Sequence, residues 1–449
     1  MAMEYAGAPH PTPAAGLRED SGPESDNTFS PESSSPSTLQ VNNTIINGGE
    51  KTQPSSWDAT KSKREQGWRK IVRSFTPSWF SVNMGTGITS ILLHNLPYNG
   101  DWLYYISVII FVLNVVLFIV FFLLSVARYS LYPKIWGVMI RHPAQSLFLG
   151  TFPMGLATII NMIVFVCVPA WGYPAVQLAW GLWWIDMVVS LACCLYVPFA
   201  IMYLHESALE KMTAAWLLPI VSTIVAAATG GIVAEVLPNP QHALWTVIAS
   251  YILWGTGVPF AMVVLVMYFQ RLTLHHLPPV EVAVSVFLPL GPLGQGGFGI
   301  MQLGKVAMAV FPQTQTLQES STRSGDILYV VGWMVATIMW GFAMVWMFFA
   351  VASVSRRRFP FNMGWWGFTF PLGVFTASTT QMGRELPSRF FDVFGTITSV
   401  SVTLLWLVVA YKTIEGAVKG NLWVAPDLAN LVETPRKKKV DVEVGVVGN

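Results

Sequence analysis

Ten stretches of this chain stay apolar over about twenty residues, and polar residues collect between them. A hydrocarbon layer about 30 Å thick is crossed by roughly 20 helical residues. The pattern therefore predicts ten membrane-spanning helices, at 76–96, 102–127, 142–169, 176–204, 214–237, 242–270, 279–312, 326–354, 361–382 and 388–414. Soluble helices keep a polar stripe, and the run 108–126 has almost none. The flanks differ. Residues 1–67 are polar, with clusters such as Ser33-Ser34-Ser35-Pro36, and lack the apolar surface that offsets the cost of ordering. They predict a disordered tail, followed by a transmembrane domain at 68–419 and a C-terminal tail at 420–449.

The spans alternate in character. The even ones are long and apolar. The odd ones carry Pro, Gly and small polar residues: Phe80-Ser-Val-Asn-Met-Gly-Thr-Gly87, Phe152-Pro-Met-Gly155, Leu218-Pro-Ile-Val-Ser-Thr223, Leu288-Pro-Leu-Gly-Pro-Leu-Gly294 and Phe370-Pro-Leu-Gly-Val-Phe-Thr376. Four of the five place a large apolar residue before Pro, and the first has Ser81 instead. A repeated unit marks an architecture built from one element. Proline frees a carbonyl by kinking a helix, and lipid offers that carbonyl no partner. The reading is an all-α integral membrane protein: five helical hairpins in pseudo-five-fold order, their kinked inner helices around a central pore.

On that reading Phe80, Phe152, Leu218, Leu288 and Phe370 form a hydrophobic constriction that gates by dewetting. Asn83, Thr86, Thr158, Ser222, Thr223, Thr376, Ser378 and Thr379 supply neutral donors along the pore. Such a lining suits an anion that binds weakly and leaves quickly.

Charge sets the orientation. Lys61, Lys63, Arg64, Arg69, Lys70 and Arg73 precede the first span; Arg128, Lys134 and Arg141 follow the second; Arg356, Arg357 and Arg358 follow the eighth. Arg436 and Lys437-Lys438-Lys439 lie in the C-terminal tail, while three short loops on the other side have no Lys or Arg. The positive-inside rule puts both termini in the cytosol. The polar start predicts no cleaved leader, and the glycosylation sequon Asn42-Asn43-Thr44 falls where it is unused. Arg384 and Arg389 break the rule, either as tolerated loop charges or as anion contacts. Asp186, Glu235, Glu281 and Lys305 lie near membrane depth, where charge is functional by default. Lys305 is an anion-attracting candidate, with a snorkelling lysine as the alternative; Glu235 and Glu281 read as span-end charges.

Charged residues make up 11% of the chain against about 25% in soluble domains. The net charge of +2 excludes a nucleic-acid partner. Cys167, Cys193 and Cys194 sit in apolar runs and read as small hydrophobes. The His275-His276 pair does not share a helix face, so no metal site is expected. Gly294-Gln-Gly-Gly-Phe-Gly299 lacks the strand-turn-helix context of a nucleotide loop. No enzyme, cofactor or ATPase signature remains. Efflux of an anion from an inside-negative cell gains about 2.3 kcal/mol per charge per 100 mV, so a gradient suffices.

The segments Phe80 to Ile88, Gly150-Thr-Phe-Pro-Met-Gly155, Pro289-Leu-Gly-Pro-Leu-Gly-Gln-Gly-Gly297 and Trp365-Trp-Gly-Phe-Thr-Phe-Pro371 together resemble the tellurite-resistance/dicarboxylate transporter family. That family includes plant slow-type anion channels and fungal malate permeases, and the nearest likeness is to its fungal sulfite-exporting branch. The resemblance spans about 68–419. It implies ten helices around one pore per subunit, a homotrimer, a gating phenylalanine at Phe370, and export of sulfite or bisulfite at the plasma membrane. The rival on the same scaffold is a proton-coupled C4-dicarboxylate carrier. Two separated carboxylates would favour two cations in the pore, and Lys305 alone lies well inside a span. A receptor or scaffold without transport would leave the repeat without purpose.

Overall fold

The computed structural model describes residues 67–317, 321–356 and 360–428. The N-terminal tail with its sequon, Arg357, Arg358, the Arg436–Lys439 cluster and the side chain of Glu281 lie outside the described residues. Among those described, the chain is helical without strands. Ten longer helices follow in order: α1 Phe80–His94, α2 Asp101–Leu131, α3 Thr151–Met162, α4 Tyr173–Leu204 and α5 Leu217–Val236. The rest are α6 Pro240–His275, α7 Leu290–Thr314, α8 Ser324–Ser355, α9 Trp366–Glu385 and α10 Arg389–Val418. Among the described residues, eight helical stretches are long and apolar enough to cross a membrane. Two are not among them: α1 with 15 residues, and α9, whose 20 residues are rich in Thr, Ser and Gly.

The alternation in the sequence appears as a division by burial. All residues of α5 from Leu217 to Ala234 are buried, and so is α1 from Phe80 to Leu93. Only seven of the 31 residues of α2 are buried, and six of them (Leu103, Ser107, Ile110, Asn114, Phe121 and Arg128) recur every three, four or seven positions, one seam along a helix. The rest of α2 exposes Val116, Ile119 and Leu123, a surface suited to lipid and not to water.

The odd helices contact one another in cyclic order. α1 packs on α3, α3 on α5, α5 on α7, α7 on α9, and α9 returns to α1. The even helices lie against them, α2 on α1, α4 on α5, α6 on α5 and α7, α8 on α7, and α10 on α9. Small residues permit the approach. A Cβ at Gly294 of α7 would lie 2.6 Å from the Phe375 nitrogen of α9, and one at Gly332 of α8 would lie 2.6 Å from the Ile300 carbonyl of α7.

A polar device recurs between hairpins. Each even helix donates one side-chain N–H to the next odd helix. Asn114 Nδ2 reaches Thr158 Oγ1 (3.2 Å), Trp183 Nε1 the Ala226 carbonyl (2.9 Å) and Trp254 Nε1 the Gly296 carbonyl (2.9 Å). Trp340 Nε1 reaches Thr379 Oγ1 (2.9 Å), and Trp406 Nε1 on α10 closes the circle at Thr86 Oγ1 on α1 (3.1 Å). Each bond satisfies an N–H that lipid could not.

The prolines correct the expectation of kinked inner helices. Pro153 and Pro219 occupy the third positions of α3 and α5, and Pro289 caps α7. In a first turn the missing N–H has no intrahelical acceptor to lose, so these prolines begin helices and do not break them. Short 3₁₀ segments lead in: Pro77–Trp79, Ser146–Gly150, Ala214–Trp216, Val280–Phe287 and Met363–Trp365. Among the odd helices' repeat-unit prolines, only Pro371 of α9 lies beyond the first turn. Internal prolines also occur in the even helices, Pro198 in α4 and Pro259 in α6. The third span does change winding, but further on: Ile163–Cys167 is a π-helix leading into the turn Val168–Trp171.

The packed chain also continues past the expected boundary at 419. Trp423 stacks on Trp79 with ring centroids 4.6 Å apart. Asp427 pairs with Arg128 at 2.7 Å, both side chains fully buried, and Arg128 Nη1 also donates to the Phe75 carbonyl.

Candidate functional site

Two cavities lie among the odd helices. The first, of about 210 Å³, takes lining from all five. α1 gives Ile88, Ile91, Leu92 and Asn95; α3 and its continuation give Thr158, Asn161 and Phe165; α5 gives Val225, Ile232 and Glu235. α7 gives Gln295, Phe298, Gln302 and Lys305. α9 gives Phe370, Val374, Ala377, Thr380, Gln381 and Arg384. The α7 residues are spaced 3, 4 and 3 apart, and five of the α9 residues 4, 3, 4 and 3, so each set is one helical stripe.

The second cavity, of about 570 Å³, collects the N-terminal ends of the same helices: Ser81 and Met84 of α1, Thr151 of α3, Leu218 of α5, Leu288 before α7, and Gly367 and Pro371 of α9. The two are separate spaces. Phe370 lines the first and its neighbour Pro371 the second, so Phe370, 2% exposed, stands at the division.

The five apolar residues expected in one ring are not brought together. Phe80 packs edge-on to Phe118, Phe121 and Phe152, and Phe152 stacks on Phe118 and Phe122. Both turn toward α2 and line neither cavity. Leu218 and Leu288 line the second cavity, Phe370 the first. The reason is register. Leu218 is the second residue of α5 and Leu288 precedes α7, whereas Phe370 is the fifth residue of α9, about 4.5 Å further from its helix start than a second residue.

Of the eight polar residues expected to line a pore, Thr158 alone lines either cavity. Asn83 donates to Asn114 Oδ1 (2.9 Å) in the α1–α2 interface. Thr86 and Thr379 receive the tryptophan N–H groups described above, and Ser222 donates to the Ser190 carbonyl of α4. Thr223 and Thr376 bond to carbonyls of their own helices. Ser378 is buried, its hydroxyl without a hydrogen-bond partner among the described residues. Asp186 is likewise buried and unpartnered on α4, away from both cavities. Arg389, the first residue of α10, is exposed and lines neither. The three cysteines are free, Cys167 and Cys194 buried.

Charge gathers at one end of the first cavity. Glu235 accepts from Gln302 Nε2 (2.7 Å) through one oxygen and from Lys305 Nζ (3.1 Å) through the other. Arg384 Nη2 donates to the carbonyl and side-chain oxygens of Asn95 (3.0 and 3.2 Å). Gln381 donates to Glu385, which also accepts from the Tyr329 hydroxyl. The first cavity therefore holds two cations, not Lys305 alone, against one carboxylate, with amide side chains between them, so the count of cations no longer argues against a dicarboxylate. Amide N–H groups and a guanidinium can replace part of the water shell of a small anion without fixing it.

The voltage-dependent anion channel family, SLAC1, matches residues 74–414. The chain belongs to this family. Among its relatives, the sulfite efflux pump SSU1 of Arthroderma benhamiae is 57% identical over 354 residues, covering 79% of this chain and 93% of that protein. The sulfite efflux pump SSU1 of Trichophyton rubrum is 56% identical over the same coverage. The malic acid transport protein of Schizosaccharomyces pombe is 25% identical over 358 residues, covering 78% and 80%. In this SLAC1-family chain, sequence reasoning missed Gln295, Gln302, Asn161, Thr380 and Gln381. The 3-and-4 spacing of amides with Lys305 and Arg384 carried the signal for α7 and α9. On α7 the lining begins two turns beyond the proline motif, and on α9 Thr376, Ser378 and Thr379 share the depth of the lining residues but not their face.

Proposed function

We propose that this protein exports sulfite or bisulfite across the plasma membrane, through ten transmembrane helices arranged as five hairpins around a central pore. The observation that carries this is the first cavity, which takes a stripe from each odd helix and ends at Lys305 and Arg384. The kinship with sulfite efflux pumps at 56–57% identity supports sulfite as the solute; the malic acid transporter, at 25%, is far more distant. Both termini face the cytosol in this proposal, so the second cavity opens inward and the Lys305–Arg384 end outward.

Phe370 is the proposed gate, alone and not as one of a ring. It stands between a wide inner vestibule and a narrower outer one, and its ring must move for an anion to pass. The Leu218 and Leu288 side chains narrow the inner approach. Export is driven by membrane potential and concentration gradient, each 100 mV contributing about 2.3 kcal/mol per charge. A homotrimer with one pore per subunit is the proposed assembly.

Purified protein in liposomes tests the proposal, with sulfite and malate compared under an imposed voltage. Sulfite flux that follows voltage without a proton gradient is expected. Malate flux that requires a proton gradient, with no sulfite flux, would transfer the protein to dicarboxylate transport.

A further inference from the structure

The Glu235–Lys305 pair belongs to two spaces at once. It closes the charged end of the first cavity, and it also lines a third cavity of about 260 Å³ between the end of α5, the start of α6 and α7. Both side chains are close to half exposed, 46% for Glu235 and 43% for Lys305. Their attraction is therefore screened and easily exchanged. Across the same cavity Arg384 donates to the oxygens of Asn95, and among the described residues no carboxylate lies within ion-pair distance of it. The two cations facing the solute are thus unequal: one is bonded to a carboxylate, while the other is bonded to neutral acceptors and feels Asp392, Glu235 and Glu385 only through space.

We propose that Glu235 is a built-in competitor for the transported anion. Resting on the export reading above, the inference assigns Glu235 a specificity role that the cations alone do not have. A carboxylate on Lys305 occupies the position an anion would take. An anion arriving beside Arg384 gains Lys305 only by displacing Glu235, and the adjoining third cavity leaves the displaced side chain room to turn. As the anion leaves, Glu235 reclaims Lys305. Binding at this end is thereby kept weak, release is fast, and anions approaching from that end meet a carboxylate first. Gln302, whose amide donates to the other Glu235 oxygen, holds the carboxylate ready between exchanges.

The test is the concentration dependence of anion flux in liposomes for the wild type, Glu235→Gln, Lys305→Gln and the double variant, each with sulfite and with chloride. Removing a half-exposed competing pair should lower the half-saturating sulfite concentration about two- to five-fold in Glu235→Gln. Lys305→Gln should raise it. The double variant should differ from Lys305→Gln by far less than Glu235→Gln differs from the wild type, since only the through-space pull of Glu235 on Arg384 remains once Lys305 is gone. A Glu235→Gln shift that is absent, or that persists undiminished in the Lys305→Gln background, overturns the competitor role while wild-type sulfite flux leaves the export reading standing. The same pattern seen with chloride, without wild-type sulfite flux, supports the competitor and retires sulfite as the solute. No wild-type flux of either anion overturns both.

Discussion

Trp406 on α10 donates its indole N–H to Thr86 Oγ1 on α1, joining the last hairpin to the first across 320 residues of sequence. The four other bonds of this kind link hairpins that are neighbours in sequence; this one makes the arrangement a closed circle. Trp406→Phe keeps the ring and removes the donor, so the expected loss is about 1 kcal/mol, read as a lower thermal midpoint in detergent. An unchanged midpoint would mean that α1 and α10 are held by apolar packing alone.

Phe370 and Phe80 share a sequence motif position but not an environment. Phe370→Ala opens the division between the two cavities and should raise sulfite flux severalfold at equal reconstituted amount. Phe80→Ala empties the aromatic cluster against α2 and should cost about 3–5 kcal/mol of stability without raising flux per folded molecule. Equal flux changes in the two variants would contradict the placement of Phe80 away from the pathway.

Arg384 presents a guanidinium to the first cavity while donating to Asn95. Arg384→Gln should raise the half-saturating sulfite concentration by about threefold to tenfold, as the loss of one charge-assisted contact implies, and should weaken the dependence of flux on ionic strength. Arg389→Gln, outside both cavities, should do neither.

The close approach of α7 to α9 rests on Gly294. A methyl group at that position meets the backbone of Phe375, which cannot swing aside as a side chain would. Gly294→Ala should cost about 1–3 kcal/mol and reduce flux by displacing the stripe that carries Gln295 and Gln302. Wild-type melting and flux in that variant would show that the two helices have slack.

The alternation of spans was legible because burial and exposure to lipid select different residues: Gly, Ser and Thr survive inside α1 and α9, whereas the outward side of the Val108–Val126 stretch of α2 needs only to be apolar. The roles of individual hydroxyls were not legible, because a Thr that accepts an indole N–H and a Thr that faces water have the same composition signal. Thr86, Thr158 and Thr379 each lie on an odd helix, yet all three are addressed by donors from even helices, and Thr158 alone also reaches the cavity. Proline misled for a related reason. Its residue type announces a disturbed helix, but whether the disturbance is a beginning or a kink depends on where the helix starts, and the short 3₁₀ segments that set those starts at Pro153 and Pro219 have no strong pattern of their own.

The Arg128–Asp427 pair carries a consequence for biosynthesis. Arg128 leaves the ribosome about 300 residues before the carboxylate that neutralises it. Burying an uncompensated guanidinium costs several kcal/mol, so the folded seat of α2 beside Phe75 reaches its full stability only once the segment carrying Asp427 has been made. A nascent chain cut short just before Asp427 carries all ten longer helices yet leaves the Arg128 guanidinium without its carboxylate.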